Sequence, residues 1–386
     1  MSRRLRNVLC LDDFEAEGRR FLPRPIFGFV AGAAETNASR DDNRAAFREY
    51  AFVPRVLNDV SKRTSEVTLF GRTYAAPFGI APMGTAAIVA YRADMVLATA
   101  AKAADIPLVM SGSSLIRLEE VATVAPDTWF QAYIPGDIER VAPLIDRIAQ
   151  AGFENLMLTV DVAASANREN NIRTGFKTPL RPSLRLFWDG ALRPRWSTAT
   201  FIRTLLRHGM PHFENSFATR GAPVLSRHAM RDFSQRDHLS WKHVDLVRRQ
   251  WRGKVIIKGI LHPDDARIAR ESGVDGIVLS NHGGRQLDGA IAPLRVLPQI
   301  AAAAGGLPVM LDGGIRRGAD VLKALALGAK FVFVGRPFLY AAAIGGEAGV
   351  RHAIGLLSSE ITRNMALLGI RSLDEIGPHL IERVSA

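Results

Sequence analysis

From about residue 76 the chain alternates between two textures. Short apolar runs rich in β-branched residues are each followed by small or polar residues and then by a segment with helical spacing. The runs lie at 78–81, 108–110, 129–133, 156–160, 255–258, 276–279, 309–311 and 331–334, with helical segments at 94–104, 138–151, 263–272, 293–304 and 319–328. Apolar runs too short for helices and without polar alternation suit strands buried on both faces, as in a parallel sheet covered by helices. Eight such units predict an α/β fold, a closed (β/α)8 barrel of the TIM type.

Two stretches stand outside this rhythm. Residues 1–75 read as an N-terminal helical cap. A helix starts at Leu11-Asp12-Asp13 with an Asp near its N-cap. An apolar face follows at Phe21, Ile26, Phe27, Phe29 and Val30, ending at Gly32, and Asp41 and Asp42 open a third helix. Residues 175–237 interrupt the barrel after the fourth strand. Between Lys177 and Arg227 this insert carries nine Lys/Arg against two acids, Asp189 and Glu214, interleaved with Leu184, Phe187, Trp188, Trp196, Phe201 and Leu206. It reads either as a solvated lid over a barrel mouth or as a surface that meets an anionic membrane.

Composition narrows this picture slightly. At 386 residues, 47% hydrophobic and 23% charged, one catalytic domain spanning the chain is expected. The single cysteine, Cys10, excludes an internal disulfide framework and fits a reducing compartment. No apolar run approaches the roughly 18 residues of a spanning helix, and the basic start at Met1 to Arg6 lacks the apolar core of a secretory signal. The net charge of +12 is concentrated in the insert, and no nucleic-acid recognition motif accompanies it. No metal set is expected.

Catalytic side chains of such barrels sit at the C-terminal strand ends. Here those ends carry Pro82, Ser111, Gln131 and Tyr133, Thr159 and Asp161, Lys258, Ser280 and His282, Asp312, and Gly335-Arg336. The stretch Ser280-Asn281-His282-Gly283-Gly284-Arg285-Gln286 sets a titratable base three residues before a guanidinium, with glycines between that admit a flat ligand. That pair suits a substrate with a removable proton and a carboxylate. The loops after strands seven and eight, Asp312-Gly313-Gly314-Ile315-Arg316-Arg317 and Gly335-Arg336, suit a phosphate held by glycine N–H groups and arginine.

With these residues assembled, the chain resembles the FMN-dependent α-hydroxy-acid dehydrogenase and oxidase family from about residue 10 to residue 380. It is most similar to the branches that act on mandelate and on lactate. The resemblance implies FMN as cofactor and oxidation of an L-2-hydroxy acid to the 2-oxo acid. It makes His282 the base, with Asp161 pairing its imidazolium. Arg285 and Arg168 would hold the carboxylate, Tyr133 the hydroxyl or keto oxygen, and Lys258 the flavin N1 and C2 carbonyl, where its charge favours the reduced form. Pro82, Met83, Gly84, Ser111, Gln131, Thr159 and Ser280 would line the isoalloxazine, while Asp312, Gly313, Gly314, Ile315, Arg316, Gly335 and Arg336 would form the phosphate side. In the mandelate branch the corresponding insert anchors the enzyme to the membrane. A peripheral protein on the cytoplasmic face, passing electrons to a quinone or other respiratory carrier, is therefore expected, as is a homotetramer.

Two departures qualify the resemblance. Phe29 stands where the family has a carboxylate-binding tyrosine, and a phenyl ring cannot donate that hydrogen bond. Gly84 and Ser113 are smaller than their counterparts in short-chain relatives, which implies room for an aromatic or long acid. A hydrogen-peroxide-forming oxidase, an FMN barrel of a biosynthetic pathway and a non-enzymatic flavin- or phosphate-binding sensor are the alternatives.

Overall fold

The computed structural model describes residues 3–229 and 235–384. All eight apolar runs are strands: β1 (Phe78–Ile80), β2 (Val109–Ser111), β3 (Trp129–Ala132), β4 (Asn155–Thr159), β5 (Lys254–Ile260), β6 (Gly276–Leu279), β7 (Val309–Asp312) and β8 (Phe331–Val334). From β2 to β8 each strand pairs in parallel with the next, and β8 pairs with β1. The last seam closes through the bridge Ile80 to Leu108, where the Ile80 N–H donates to the Pro107 carbonyl at 2.9 Å. The result is a (β/α)8 barrel.

Period-two alternation explains why continuous apolar runs are needed. Val109, Trp129, Met157, Ile256, Val278, Met310 and Phe331 point inward and fill the barrel. Their neighbours Phe130, Leu156, Leu158, Val255, Ile257, Ile277, Leu311 and Val332 join the larger core beneath the helices. A hairpin, Val67–Leu69 with Arg72–Tyr74, belongs to the interior cluster and places the Phe70 ring 5.6 Å from Trp129.

The anticipated helices form at Ala93–Ala103, Val141–Gln150, Pro263–Glu271, Pro293–Ala304 and Gly318–Ala326, and a helical stretch, Arg336–Leu368, broken by a kink at Gly346, follows β8. Cap helices occupy Leu11–Phe21, Arg24–Ala31 and Ala38–Ala45. The first has Cys10 at its N-cap, and Asp13 accepts from the Leu9 and Cys10 N–H groups. The third starts at Ala38, earlier than the Asp41-Asp42 signal indicates. A distant carboxylate fixes its start: Asp288 accepts from Ser39 N in the first turn at 3.1 Å and from Thr36 N, just before the N-cap Asn37, at 2.9 Å. Asp41 and Asp42 instead sit within the helix and pair with Arg40 and Arg295. The insert carries helices at Leu184–Ala191 and Arg203–His208, and its Trp196 is buried and donates to the Ile88 carbonyl at 3.0 Å. Its residues 230–234 lie outside the described part. Among the described residues no helix is long and apolar enough to cross a membrane.

Candidate active site

Two residues beyond the inward apolar residue on each of six strands stands a polar one: Ser111, Gln131, Thr159, Lys258, Ser280 and Asp312. Strand alternation keeps each on the inner face, so a polar layer caps the apolar barrel interior. Above it opens a cavity of about 820 Å³. Its wall includes Phe29, Pro82, Met83, Gly84, Gln131, Tyr133, Thr159, Arg168, Lys258, His282 and Arg285, with Asp312, Gly313, Gly314, Ile315, Arg316, Gly335 and Arg336 on the side of the last two strands. Ser111 and Ser280 do not reach this wall. They are buried within the polar layer, where Ser111 Oγ donates to Gln131 Oε1 at 3.1 Å.

His282 sits in the loop after β6 at φ 58°, a left-handed conformation. Its N–H donates to Ser280 Oγ at 2.9 Å and its Nδ1 lies 2.8 Å from Asp161 Oδ1. A carboxylate only accepts, so Nδ1 carries the proton and Nε2 keeps its lone pair. Burial pushes the Asp161 carboxyl up, but the His282 and Lys258 charges hold it below the ordinary carboxylate range. Burial pushes His282 below the ordinary histidine range, outweighing the opposite pull of Asp161. At neutral pH the pair is therefore carboxylate and neutral imidazole. Gly259 makes its geometry possible: it bulges β5 at φ 115°, and a Cβ there would lie 2.8 Å from Asp161 Cβ.

Lys258 is buried, yet its partners overcome desolvation. Nζ is 3.0 Å from Asp312 Oδ2 and 2.7 Å from Ser280 Oγ, and Ser280 Oγ donates to Asp312 Oδ1 at 2.5 Å. Burial alone would lower the lysine; Asp312 and Asp161 raise it above its ordinary value, so it stays charged. Gln131 Nε2 and Thr159 Oγ1 are buried with no hydrogen-bond partner. Two polar atoms of one layer left unmet call for a polar ligand edge.

Three guanidiniums ring the opposite side. Arg285 Nη1 donates to the Phe29 carbonyl at 2.7 Å and the Gly32 carbonyl at 2.9 Å; Arg336 donates to Val30 and Gly32 carbonyls at 3.0 and 3.1 Å. They thereby cap the C-terminal end of the helix Arg24–Ala31, whose last carbonyls lack helical donors. Burial drives Arg285 well below its ordinary value, with Arg168 and Arg336 adding repulsion, and brings Arg336 down to about 10. Arg316 is lowered too, again by burial first. Such a cluster is poised for anionic ligands. Gly314, at φ 82°, completes the cradle, because a Cβ there would fall 1.9 Å from the Asn43 carbonyl oxygen.

Phe29 stacks on Phe176 with centroids 4.3 Å apart, and the Arg285 guanidinium lies 4.9 Å from its ring centre. Arg168 Nη2 donates to Gln286 Oε1 at 2.7 Å, and its Nε to the Arg285 carbonyl at 3.1 Å. Some supporting residues escaped sequence reasoning. Asn281 and Asn43 exchange amide hydrogen bonds at 2.7 and 2.8 Å, tying the His282 loop to the cap. Asn281 and Gln286 lie inside the quoted motif and carried that signal; Asn43 had none.

Comparison with known proteins follows the same lines. Residues 18–383 match the family model described as FMN-dependent dehydrogenase. (S)-Mandelate dehydrogenase of Pseudomonas putida is 35% identical over 377 residues, 97% of this chain and 94% of that one. 4-Hydroxymandelate oxidase of Amycolatopsis orientalis is 38% identical over 366 residues, 95% and 96% of the two chains. The crystal structure of the monotopic membrane protein (S)-mandelate dehydrogenase superposes with a TM-score of 0.90 at 34% identity, covering 98% of this chain and all of that one.

Proposed function

The chain belongs to the FMN-dependent dehydrogenase family of 2-hydroxy-acid oxidoreductases, and from that premise we propose that it oxidises an L-2-hydroxy acid with a bulky or aromatic side chain, such as mandelate, to the 2-oxo acid. The observation that carries the reading is His282 on the same cavity wall as Arg168 and Arg285, with Asp161 behind it at 2.8 Å. The cavity fits FMN: the unmet Gln131 Nε2 and Thr159 Oγ1 await a polar heterocycle edge, and Arg316, Arg336 and the Gly313-Gly314 turn await a phosphate. Bound there, FMN supplies the two-electron acceptor.

The protein's own residues do the rest. Arg168 and Arg285 grip the substrate carboxylate and fix the α-carbon. His282 Nε2 takes a proton from the substrate, and Asp161 stabilises the resulting imidazolium and holds the ring. Tyr133 hydrogen-bonds the substrate oxygen, and Lys258 sets a fixed positive charge at the cavity floor. Gly84 and Ser113 both line the cavity, and two such small residues on its wall leave width for a phenyl group. Steady-state assays with (S)-mandelate, L-lactate and glycolate test this reading: kcat/KM should be highest for mandelate, and a preference for glycolate would refute the aromatic assignment.

The reading extends to the membrane. On the helix Leu184–Ala191, Leu184, Phe187 and Trp188 share one face (with Leu192 just beyond) and are 82%, 68%, 62% and 66% exposed, flanked by Arg185, Arg193 and Arg195. We assign residues 177–227 to peripheral contact with the anionic cytoplasmic face of the cell membrane, with a quinone or other respiratory carrier as acceptor and a homotetramer as the assembly. Anaerobic turnover with a soluble quinone supports that acceptor, whereas turnover driven only by oxygen with peroxide release makes the enzyme an oxidase.

A further inference from the structure

The helix Arg24–Ala31 turns Phe29 and Val30 toward the active-site cavity, while Arg24, Phe27, Gly28 and Ala31, spaced i, i+3, i+4 and i+7, share another face. That second face backs a separate cavity of about 440 Å³. Four arginines from four segments converge on it: Arg19, Arg24, Arg40 and Arg193, the last from the insert. Leu22 and Phe27 give it an apolar floor, and none of its lining residues is acidic.

The charges there are poorly met. Arg40 pairs with Asp41 at 2.9 Å. Arg24 donates to the Arg173 carbonyl at 3.3 Å and Arg193 to the Leu192 carbonyl at 3.1 Å. Among the described residues, Arg19, Arg24 and Arg193 have no carboxylate partner. Arg193 Nε is buried and has no acceptor at all. Gathering guanidiniums in a concave site raises its potential, and a buried donor without an acceptor is unfavourable unless a ligand supplies one. Arginine's planar fork matches the oxygens of a phosphate.

We propose that this pocket binds a phosphate group, either free or as the headgroup of an anionic lipid whose apolar part lies over Leu22 and Phe27. The proposal stands on the pocket alone and does not depend on the reaction assigned above.

The test uses the FMN-loaded enzyme, so that the flavin occupies its own phosphate site. Inorganic phosphate is titrated calorimetrically at low ionic strength. Co-sedimentation is measured with vesicles of phosphatidylcholine, with and without phosphatidylglycerol. R19Q/R193Q is compared with wild type and with R252Q/R267Q, which removes the same charge at exposed positions on the barrel's outer side. All three should share one flavin spectrum and one turnover number with a soluble acceptor. Saturable phosphate binding, weakened about tenfold or more in R19Q/R193Q only, supports the site with a free ligand. Absence of free-phosphate binding, together with capture by phosphatidylglycerol vesicles that R19Q alone weakens about threefold and R252Q/R267Q leaves intact, supports it with a lipid headgroup, whereas a loss seen only when Arg193 is changed belongs to the insert's membrane contact and overturns the pocket. Both variants behaving alike with both probes overturns it. Should the double variant lose its flavin, R19Q alone, at an exposed position, is expected to show about a threefold loss with the same probe, and no loss overturns the proposal.

Discussion

Phe29→Tyr adds one hydroxyl to the cavity wall, at the position that the resemblance aligns with a carboxylate-binding tyrosine. The neighbours tolerate it: the stack on Phe176 at 4.3 Å and the Arg285 guanidinium at 4.9 Å suit a phenol as well as a phenyl ring. A hydrogen bond to a charged acceptor contributes about 1.5–3 kcal/mol net. At about 1.4 kcal/mol per tenfold change, the carboxylate of a bound acid should gain roughly 10- to 150-fold in affinity. The interaction exists before and during the reaction alike, so it belongs in KM and leaves kcat nearly unchanged. Steady-state kinetics with (S)-mandelate and with its uncharged amide separate the effect, because the amide lacks the charged acceptor and should gain only a few-fold. An unchanged KM for mandelate, or an equal gain for the amide, would show that position 29 does not face the carboxylate site and would sink the assignment of Arg168 and Arg285 as its clamp.

Other outcomes follow from the same geometry. The reaction needs neutral His282, and burial lowers its pKa, so the acid limb of kcat/KM should fall below the ordinary histidine range; a limb above that range contradicts the base assignment. Asp161→Asn removes the group that raises His282 and holds its ring. It should cut kcat by about 10²-fold and move that limb lower still, as a pH profile of the variant will read. Lys258→Met leaves Asp312 buried without its ion pair; urea unfolding should register a loss of about 3–5 kcal/mol, and the purified protein should retain less flavin. Gly259→Ala forces a side chain into φ 115° against Asp161, so about 1–3 kcal/mol of stability and much of kcat should be lost while KM holds.

The barrel was legible because strands buried on both faces leave unbroken apolar runs, and the polar residue one pleat beyond each run marks the mouth. Depth was less legible. Ser111 and Ser280 occupy the same inward register as Gln131 and Lys258, but their short side chains are covered by neighbours, and length and packing decide who reaches the cavity. The hairpin at residues 67–74 escaped notice because three-residue strands carry too little periodicity, and Phe70 reveals its purpose only against Trp129. The third cap helix begins where Asp288 meets its N–H groups, roughly 250 residues away in sequence, and no local capping rule contains that. The same holds for the Asn43–Asn281 amide pair that ties the cap to the catalytic loop.

The central claim is that this cavity couples His282 to a bound FMN for oxidation of a 2-hydroxy acid. It is tested most directly by an anaerobic absorbance spectrum of the purified protein before and after adding (S)-mandelate, with His282→Asn alongside. The protein should be yellow and its flavin band should bleach with mandelate, at a rate at least about 10²-fold slower in His282→Asn. A yellow protein that neither mandelate, lactate nor glycolate bleaches, or a variant that bleaches as fast as wild type, would contradict it.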